Sequence, residues 1–327
     1  MSFDNLTIKK VDNLDAWDKF VEESEDGTIF STIAYLNLSQ SKYHLWWILS
    51  GDVIRAGLCF VVSEDGNQII SDDLVVYSGL IFSLDSKAQE AKKFNRRYII
   101  TEFIAKQIRQ MYTNINFSFA PEINDPRPFQ FYGYGVVNKK KYKCESKFTS
   151  YVNINDLLRG KASEFESNSF NNMRPVKRRD IRFAKEEGYN VVQETSCDIF
   201  LDFHKKNLKN QHINITEYTI NKLNNLICGL LDNKKASVMT INDKDSRPIY
   251  SIVYAWDNKK AYYLFGAGTL INPKHWQGVV AQWEGFKYIA LNTNLNTIDL
   301  EGVNSPARGS FKMSLGGFIV PYYNISL

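Results

Sequence analysis

The sequence predicts an α/β protein of two similar domains, each a mixed, mostly antiparallel sheet covered by helices, with a cleft between the domains. The chain has 327 residues, 44% of them hydrophobic and 14% aromatic, which suffices to fill two cores. Strand-like runs are followed by a long helical pattern and a further strand. The same succession recurs in the second half, and repetition on this scale is stronger evidence than any single motif.

The first half opens with helices and continues as an antiparallel meander. Apolar residues at helical spacing predict a helix over 14–21, and a short second helix is expected over 34–38. Runs rich in β-branched and aromatic residues then predict strands over 45–49, 53–62 and 75–82. A turn over 64–67 contains Asp65 and Gly66, which supply the backbone freedom that a hairpin needs.

A long helix closes each of the two repeated units. In the first half it is expected over about 87–112, and a strand with period-two alternation follows over 114–119. In the second half the corresponding helix carries apolar residues between 276 and 289 and leads into a strand over 297–300. The strands expected before that helix cover 236–241, 248–255 and 261–265. We therefore predict an N-terminal domain over 1–150 and a C-terminal domain over 151–312, with the tail 313–327 returning to the first sheet.

Between the halves, prolines and aromatic residues interrupt the regular pattern. Asp125 and Arg127 lie among prolines, and Tyr132 and Tyr134 follow in an aromatic and glycine-rich run. Arg127 is a candidate for binding a phosphate or carboxylate in its planar fork, and the two tyrosines are candidates for stacking on a ring. An ion pair between Asp125 and Arg127, with the tyrosines packed in the core, is the alternative.

A basic cluster precedes a helix that should begin at Pro175 and end before Gly188. Cations beside a helix N-terminus favour anion binding, because the free N–H groups and the helix dipole attract negative charge. Arg174 and Arg178 are therefore candidates for binding a substrate phosphate. A solvated basic face is the alternative.

The C-terminal segment after the strand at 297–300 is rich in Gly, Asn, Ser and Pro, and we predict a loop that ends at Lys312. Its glycines allow close approach of a ligand, so the loop is expected to present Lys312 inward. Asn304 and Ser305 are candidate substrate contacts in the same loop. An ordinary surface loop with a solvated lysine is the alternative.

Taken together, the C-terminal motifs resemble those of the Fem-like acyltransferases, which are tandem GNAT proteins. The motifs that carry the resemblance are Ile298-Asp299-Leu300-Glu301-Gly302, Phe311-Lys312, Leu315-Gly316-Gly317 and Pro321-Tyr322-Tyr323. The loop over 27–30 and the basic helix start at Arg174 are also similar to those of the group. The resemblance implies two tandem GNAT folds, an N-acyltransferase activity and a catalytic role for Lys312.

Acyl transfer to an amine needs no enzyme nucleophile, because the substrate provides one. The main demand is stabilisation of charge on the carbonyl oxygen, for which one well-placed donor contributes roughly 3 to 4 kcal/mol. The resemblance implies that Lys312 has this role or neutralises a phosphate. Asp299 is a candidate for orienting Lys312 or the incoming amine, and otherwise caps the loop; Glu301 is a rival candidate for the general base.

The acyl donor is left open between acyl-CoA and aminoacyl-tRNA. GNAT proteins that bind acetyl-CoA usually cradle its pyrophosphate in a glycine-rich turn before a helix, and neither half has that turn. The nearest segment, 272–278, lacks the glycine spacing. By resemblance, Fem proteins use aminoacyl-tRNA, whereas relatives in surface-polysaccharide clusters acylate amino sugars on nucleotide carriers.

Composition excludes several other classes of function. A formal net charge of +4 and a pI of about 8.6 are too mild to indicate a DNA-binding protein. Four widely spaced cysteines predict free thiols and no metal site. We expect no integral membrane segment and a cytoplasmic location. No hydrolase elbow, Walker loop, dinucleotide-binding fingerprint or zinc-protease motif is present.

These inferences favour a transferase that acylates the amine of a nucleotide-linked amino sugar, for a bacterial surface polysaccharide such as lipopolysaccharide O-antigen or capsule. One alternative is an aminoacyl-tRNA-dependent transferase that builds the interpeptide bridge of peptidoglycan. A second alternative is a non-catalytic binding protein on a GNAT fold.

Overall fold

The computed structural model describes residues 6–84, 89–137, 140–158, 164–214 and 216–327. The contacts within the chain define two units, one of residues 1–147 with 321–327 and one of residues 148–320. Mixed α/β structure with sheets covered by helices is present in both, so the predicted fold class is confirmed. Whether 1–150 and 151–312 act as separate domains, with a cleft between them, stays a prediction.

The first unit is built on an antiparallel sheet in the order β1-β2-β3-β4. Its elements are β1 (Leu6–Lys10), α1 (Leu14–Glu23), α2 (Ile33–Leu38), β2 (Tyr43–Ser50), β3 (Val53–Val61), β4 (Gly79–Phe82), α3 (Glu90–Met111), β5 (Asn116–Ser118) and α4 (Arg127–Gln130). The predicted meander is confirmed. The predicted start of the long helix at Lys87 lies outside the described residues, and α3 begins at Glu90.

The second unit has six sheet strands in the order β6-β11-β10-β9-β8-β7, of which β10 and β11 are parallel and the others antiparallel. The chain from residue 143 onward forms β6 (Lys143–Asn153), α5 (Asn168–Asn171), α6 (Pro175–Glu187), β7 (Tyr189–Glu194), α7 (Asp198–Asn210), α8 (Glu217–Asp232), β8 (Ala236–Asp243), β9 (Pro248–Trp256), β10 (Ala261–Gly268), α9 (Gln277–Asn292), β11 (Thr297–Asp299), α10 (Pro306–Met313) and β12 (Phe318–Ser326). The predicted start of α6 at Pro175 and its end before Gly188 are confirmed. At its end, β12 pairs with β5 in the first unit.

Helix α9 packs on the sheet of the second unit and fixes its centre. Trp276, Trp283 and Phe286 are buried on the apolar side of this helix. On the same helix, Gln282 accepts a hydrogen bond from the hydroxyl of Tyr254 on β9 at 2.6 Å. This buried bond joins α9 to strand β9.

No helix in the described ranges is long and apolar enough to cross a lipid bilayer.

Candidate active site

The segment that carries Lys312 is a helix, not the predicted glycine-rich loop. Helix α10 begins with Pro306 at its first turn, a position where proline costs no hydrogen bond. A Cβ atom on Gly309 would lie 2.4 Å from the Val303 carbonyl oxygen, so glycine is what allows the helix to pack this closely on the preceding segment. The prediction of a loop was wrong because it weighed the glycines as flexible and overlooked this close packing.

Lys312 lies in the last turn of α10 in a partly buried position. Its ammonium group donates a hydrogen bond to the Gly302 carbonyl at 3.3 Å and lies 5.2 Å from the ring centre of Tyr263. Burial lowers the pKa of Lys312, the nearby Glu301 and Asp299 carboxylates oppose that shift, and Arg308 adds to it. The alternative of a solvated surface lysine therefore does not describe this residue.

Glu301 lies beside Lys312 and is 9% exposed. Its backbone has φ of 55°, a left-handed conformation that is rare outside glycine. Burial raises the pKa of Glu301 well above its usual range; the Lys312 charge opposes the shift and the Asp299 charge adds to it. Its Oε1 is buried without a hydrogen-bond partner among the described residues. A carboxyl group with a free acceptor oxygen thus lies next to Lys312, although it does not line the cavity described below.

Asp299 ends strand β11 and is fully buried. Its Oδ1 accepts hydrogen bonds from the hydroxyl of Thr149 and, at 2.7 Å, from the N–H of Glu301. This is the capping arrangement that the sequence left open as an alternative. Asp299 therefore holds the turn that presents Glu301, and its charge reaches Lys312.

A cavity of about 460 Å³ opens beside Lys312, and all its lining residues belong to the second unit. Helix α7 forms one wall, strands β9 and β10 form the floor, and α10 forms the opposite wall. The polar residues that line it are His204, Asn207, Gln211, Tyr250, Tyr263, Arg308 and Lys312. The described lining contains cations and neutral polar groups but no carboxylate, so the cavity suits a neutral or anionic ligand.

The cavity exists because strands β10 and β11 separate. They pair in parallel at Ala261 and Tyr262 only, and β11 ends at Asp299. Beyond this point β10 has an irregularity between Tyr263 and Phe265 and continues to Gly268. Bulges redirect side chains and end pairing, and they are common next to active sites. The edge of β10 past Tyr262 is thereby left facing the cavity.

Two tyrosine hydroxyl groups lie over Gly266 at the floor of the cavity. A Cβ atom at Gly266 would come within 2.5 Å of the Tyr263 hydroxyl and 2.7 Å of the Tyr250 hydroxyl. Tyr263 donates a hydrogen bond to Tyr250. Burial raises the pKa of both phenols, so both stay protonated at neutral pH. The pair provides hydroxyl donors at the place where β10 leaves β11.

The other residues predicted for this site have structural contacts. The side-chain amide of Asn304 bonds to the Phe148 backbone, accepting from its N–H at 2.7 Å and donating to its carbonyl at 3.0 Å. Ser305 is the exposed N-cap of α10 and makes no side-chain cap bond. Substrate binding by these two residues stays a prediction.

Arg174 and Arg178 lie at the start of α6 in the second unit. The N–H of Arg174 donates to the Ser314 carbonyl at 3.0 Å, which joins this helix start to the end of α10. Arg178 donates weakly to Asn171 at 3.4 Å, and its Nε is buried without a partner among the described residues. A buried unpartnered guanidinium N–H is consistent with an anion site, and that role stays a prediction.

Arg127, Tyr132 and Tyr134 belong to the first unit. Arg127 donates to Asp125 through Nε at 2.7 Å and Nη2 at 2.9 Å, so the fork predicted to hold a substrate is occupied by the carboxylate. Tyr132 packs on Tyr142 with ring centres 5.2 Å apart, and Tyr134 is 82% exposed. Substrate contacts of these three residues stay predictions.

Sequence reasoning missed the cavity residues outside the C-terminal motif. His204 and Asn207 come from α7, and Tyr250 and Tyr263 come from strands that read as ordinary core. The one signal available was the spacing of polar residues along α7 at 204, 207 and 211, which lies on one helix face. Arg308 comes from helix α10, where the sequence predicts a loop.

Comparison with known proteins supports the fold. None of the protein-family models matches this sequence, and no curated protein matches it. Among solved structures, FemX superposes with a TM-score of 0.65 at 11% identity over 97% of this chain and 96% of that one. A tandem GNAT protein from the clavulanic acid biosynthesis pathway gives 0.52 at 8% identity, covering 98% of both chains.

The C-terminal domain of an Agrobacterium fabrum protein named as a lysylphosphatidylglycerol synthetase gives a TM-score of 0.55 at 10% identity, over 96% of this chain and 90% of that one. Identities this low establish the architecture alone. The tandem GNAT-like fold implied by the sequence motifs is therefore confirmed at the level of fold.

Proposed function

We propose that this chain is an acyltransferase that moves an acyl or aminoacyl group onto an acceptor amine, with the cavity beside Lys312 as its reaction site. The observation that carries the proposal is the placement of Lys312 in the cavity lining, beside the buried Glu301, at the point where β10 leaves β11. Perturbed ionisable groups that meet at a cavity are the usual mark of a reaction centre. A purely structural role would not explain why a lysine and a buried carboxyl group with a free oxygen lie beside so much open volume.

Lys312 is placed to stabilise the negative charge that develops on the acyl carbonyl oxygen. As the amine attacks the acyl carbonyl, negative charge builds on oxygen, and a fixed donor in a dry site stabilises that charge at little reorganisation cost. The Lys312 ammonium is positioned by its bond to the Gly302 carbonyl and by the Tyr263 ring. The same ammonium can instead neutralise a phosphate of the donor, and both roles require it to remain charged.

Glu301 is suited to receive the proton that the amine loses. A carboxyl group of raised pKa is a better base than an ordinary one, and its Oε1 has no competing partner among the described residues. Amines with a pKa of about 8 need only modest help of this kind. Asp299 acts through Glu301 by fixing the turn that carries it, and is therefore a positioning residue.

For the donor, the observations favour aminoacyl-tRNA over acyl-CoA. The loop between β10 and α9 lacks the glycine-rich cradle that binds a pyrophosphate. The name lysylphosphatidylglycerol synthetase denotes a transfer of an amino acid, and FemX belongs by name to the Fem-like group. An aminoacyl ester is thus the first donor to test.

For the acceptor, the likeness to FemX favours a peptidoglycan precursor, with the amine on the peptide that becomes the interpeptide bridge. The names of the three solved structures given above do not mention the nucleotide-linked amino sugar expected from the sequence. Arg174 and Arg178 are the residues we assign to an anionic group of the acceptor, because Arg178 Nε is buried and unpartnered in the described structure.

The test is product formation with defined donor and acceptor pairs. Purified protein is incubated with aminoacyl-tRNA or acyl-CoA, and with a UDP-linked muropeptide or a nucleotide-linked amino sugar. Mass spectrometry of the acceptor then reports transfer. We expect a gain of one aminoacyl residue on the muropeptide with the tRNA donor. Absence of a mass gain with every pair, at protein concentrations that bind the acceptor, would leave the binding-protein alternative.

A further inference from the structure

Two cysteine side chains meet between helices α7 and α8 of the second unit. Cys197 is the N-cap residue of α7, and Cys228 lies on α8. Their sulfur atoms are 3.8 Å apart, and both thiols are free. The two sulfurs are therefore in contact without being bonded to each other.

The side chain of Asn224 holds both thiols in this position. Its Oδ1 accepts a hydrogen bond from the Cys197 thiol at 3.2 Å and another from the Cys228 thiol at 3.6 Å. Asn224 and Cys228 lie one turn apart on α8, and both contact Cys197. Because one acceptor serves two donors, the donors are brought close to each other.

The two thiols differ in their exposure. Cys197 is 1% exposed, whereas Cys228 is half-buried. Burial, with a smaller contribution from the neighbouring Cys228 thiol, raises the pKa of Cys197 to about 12. A small oxidant dissolved in water therefore meets Cys228 first, while Cys197 stays protonated and shielded.

Neither metal binding nor packing accounts for the pair. Among the described residues, no group of three or more His, Cys, Asp or Glu side chains could hold a metal ion. Buried cysteine often serves as a small apolar side chain in a core. Packing of that kind does not explain the amide oxygen that both thiols share, or the contact between the sulfurs.

We propose that Cys197 and Cys228 are a redox pair, which a peroxide converts to an intramolecular disulfide that joins α7 to α8. Cys228 first reacts with hydrogen peroxide: the O–O bond breaks, a sulfenic acid forms on its sulfur, and one water leaves. The Cys197 sulfur then attacks that sulfur, and the S–O bond breaks as the S–S bond forms. The displaced hydroxide takes the proton of the Cys197 thiol and leaves as the second water. Each sulfur thus loses one electron, and the peroxide gains two.

The disulfide would restrain one wall of the proposed reaction cavity. Its bond length of about 2.05 Å requires the sulfurs to approach by about 1.8 Å from their 3.8 Å contact. In the first turn of α7, after Cys197, the Phe200 ring stacks on His204 with ring centres 5.4 Å apart. The same ring lies 5.8 Å from that of Phe265 on β10. His204 and Phe265 both line the cavity, so direct contacts connect the thiols to it.

The experiment treats the reduced protein with hydrogen peroxide, alongside two single variants. Cys228→Ser removes one member of the pair, and Cys144→Ser removes a half-buried cysteine of the first unit as the matched control. Peptides from digestion without reductant are identified by mass spectrometry. The unfolding temperature is measured before and after treatment, and hydrogen exchange is followed at the α7 amides.

We expect the wild type and Cys144→Ser to lose the mass of two hydrogen atoms and to yield one linked peptide pair, that of Cys197 with Cys228. Dithiothreitol should reverse both changes. The linked form should unfold about 4 °C or more above the reduced form, because the bond restricts the unfolded chain. Its α7 amides should exchange more slowly. Cys228→Ser should show none of these changes.

Several results would overturn the proposal. One is a treated wild type that keeps both thiols, or that carries only sulfinic acid at Cys228. Another is a set of linked peptides in which Cys59 or Cys144 is joined as often as the pair. A bond that forms without slowing exchange in α7 would refute its effect on the cavity wall.

The wild type and Cys144→Ser decide the outcome even if Cys228→Ser does not fold. None of these measurements uses transfer activity. Failure of the redox pair would therefore leave the proposed acyl transfer untouched, and failure of acyl transfer would leave the redox pair.

Discussion

Asp299 accepts a hydrogen bond from the N–H of Glu301 at 2.7 Å, and this bond closes the turn in which Glu301 has φ of 55°. A non-glycine residue in this region of backbone space costs about 1 to 3 kcal/mol, which the surroundings must offset. The result is a glutamate side chain directed into the protein beside Lys312. Strain of this kind is common where a side chain must be held for chemistry.

Glu301→Gln should abolish the rise of the reaction rate with pH. If Glu301 is the base, only its ionised form acts, so the wild-type rate climbs with pH through a pKa raised above the ordinary carboxyl range of about 4.3. We expect the variant to lose about a hundredfold in kcat and to show no such rise. The pH–rate profile is the measurement.

Glu301→Gly is the companion variant, because glycine accepts the positive φ without strain and lacks the carboxyl group. Its unfolding temperature should equal or exceed that of the wild type, and its kcat should be as low as that of Glu301→Gln. A fast Glu301→Gly enzyme would remove Glu301 from the chemistry and leave it a purely structural residue.

Lys312→Met should abolish turnover and leave substrate affinity intact. Methionine fills a similar volume, and the loss of a charged donor at the developing oxyanion costs about a hundredfold to a thousandfold in kcat. Calorimetric titration of the acceptor and single-turnover kinetics separate the two quantities. Weakened binding with an unchanged single-turnover rate would instead place Lys312 in ground-state recognition.

The sequence was sufficient for the fold because its signals are local. Runs of β-branched and aromatic residues mark the meander of β2 and β3, and Pro175 and Gly188 mark the two ends of α6. The resemblance in the C-terminal motif led to Lys312, Asp299 and Glu301, which the fold does bring together. These residues are close in sequence, so a linear motif is enough to identify them.

The rest of the cavity was not visible in the sequence because it depends on long-range packing. Tyr250 and His204 reach the cavity from β9 and α7, and the strand separation that creates it follows from where β11 ends. Whether Arg127 pairs with Asp125 or binds a substrate depends on the side-chain rotamers, which the residue types do not specify. Helix α10 was missed because Gly309 serves close packing and not flexibility.

Gly309→Ala should displace Lys312 by moving the helix that carries it. The new Cβ atom would meet the Val303 carbonyl oxygen at 2.4 Å, and a backbone atom cannot rotate away as a side chain can. We expect a loss of about 1 to 3 kcal/mol in the free energy of unfolding, together with at least a tenfold loss in kcat. Ser310→Ala, on the exposed side of the same helix, is the control and should leave both unchanged.

Gly266→Ala should disturb the hydroxyl pair at the cavity floor. Its Cβ atom would lie 2.5 Å from the Tyr263 hydroxyl and 2.7 Å from the Tyr250 hydroxyl, so both rings must shift. We expect a destabilisation of about 1 to 3 kcal/mol in urea unfolding. Combining it with Tyr250→Phe and Tyr263→Phe should recover part of that loss, since the atoms that clash are removed. If the triple variant is no more stable than Gly266→Ala, the clash lies with other atoms.

Asp26→Asn tests the electrostatics of the first unit, away from the proposed chemistry. Asp26 is 2% exposed, and burial raises its pKa to about 6 despite an Arg97 guanidinium 3.5 Å away and a hydrogen bond from the Phe82 N–H. Between the ordinary value of 3.8 and about 6, the folded state holds a proton that the unfolded state has released. Stability from this group therefore falls as pH rises through that window and stays low above it.

The variant removes the titration of residue 26. Its free energy of unfolding, relative to that of the wild type, should therefore rise from pH 4 to pH 6 and then stay level. A shift of this size corresponds to about 2 to 3 kcal/mol at pH 7 as an upper estimate. Urea unfolding of both proteins at half-unit steps from pH 4 to 8 measures the difference. A difference that does not change with pH would mean that Asp26 is ionised across the whole range and that Arg97 outweighs its burial.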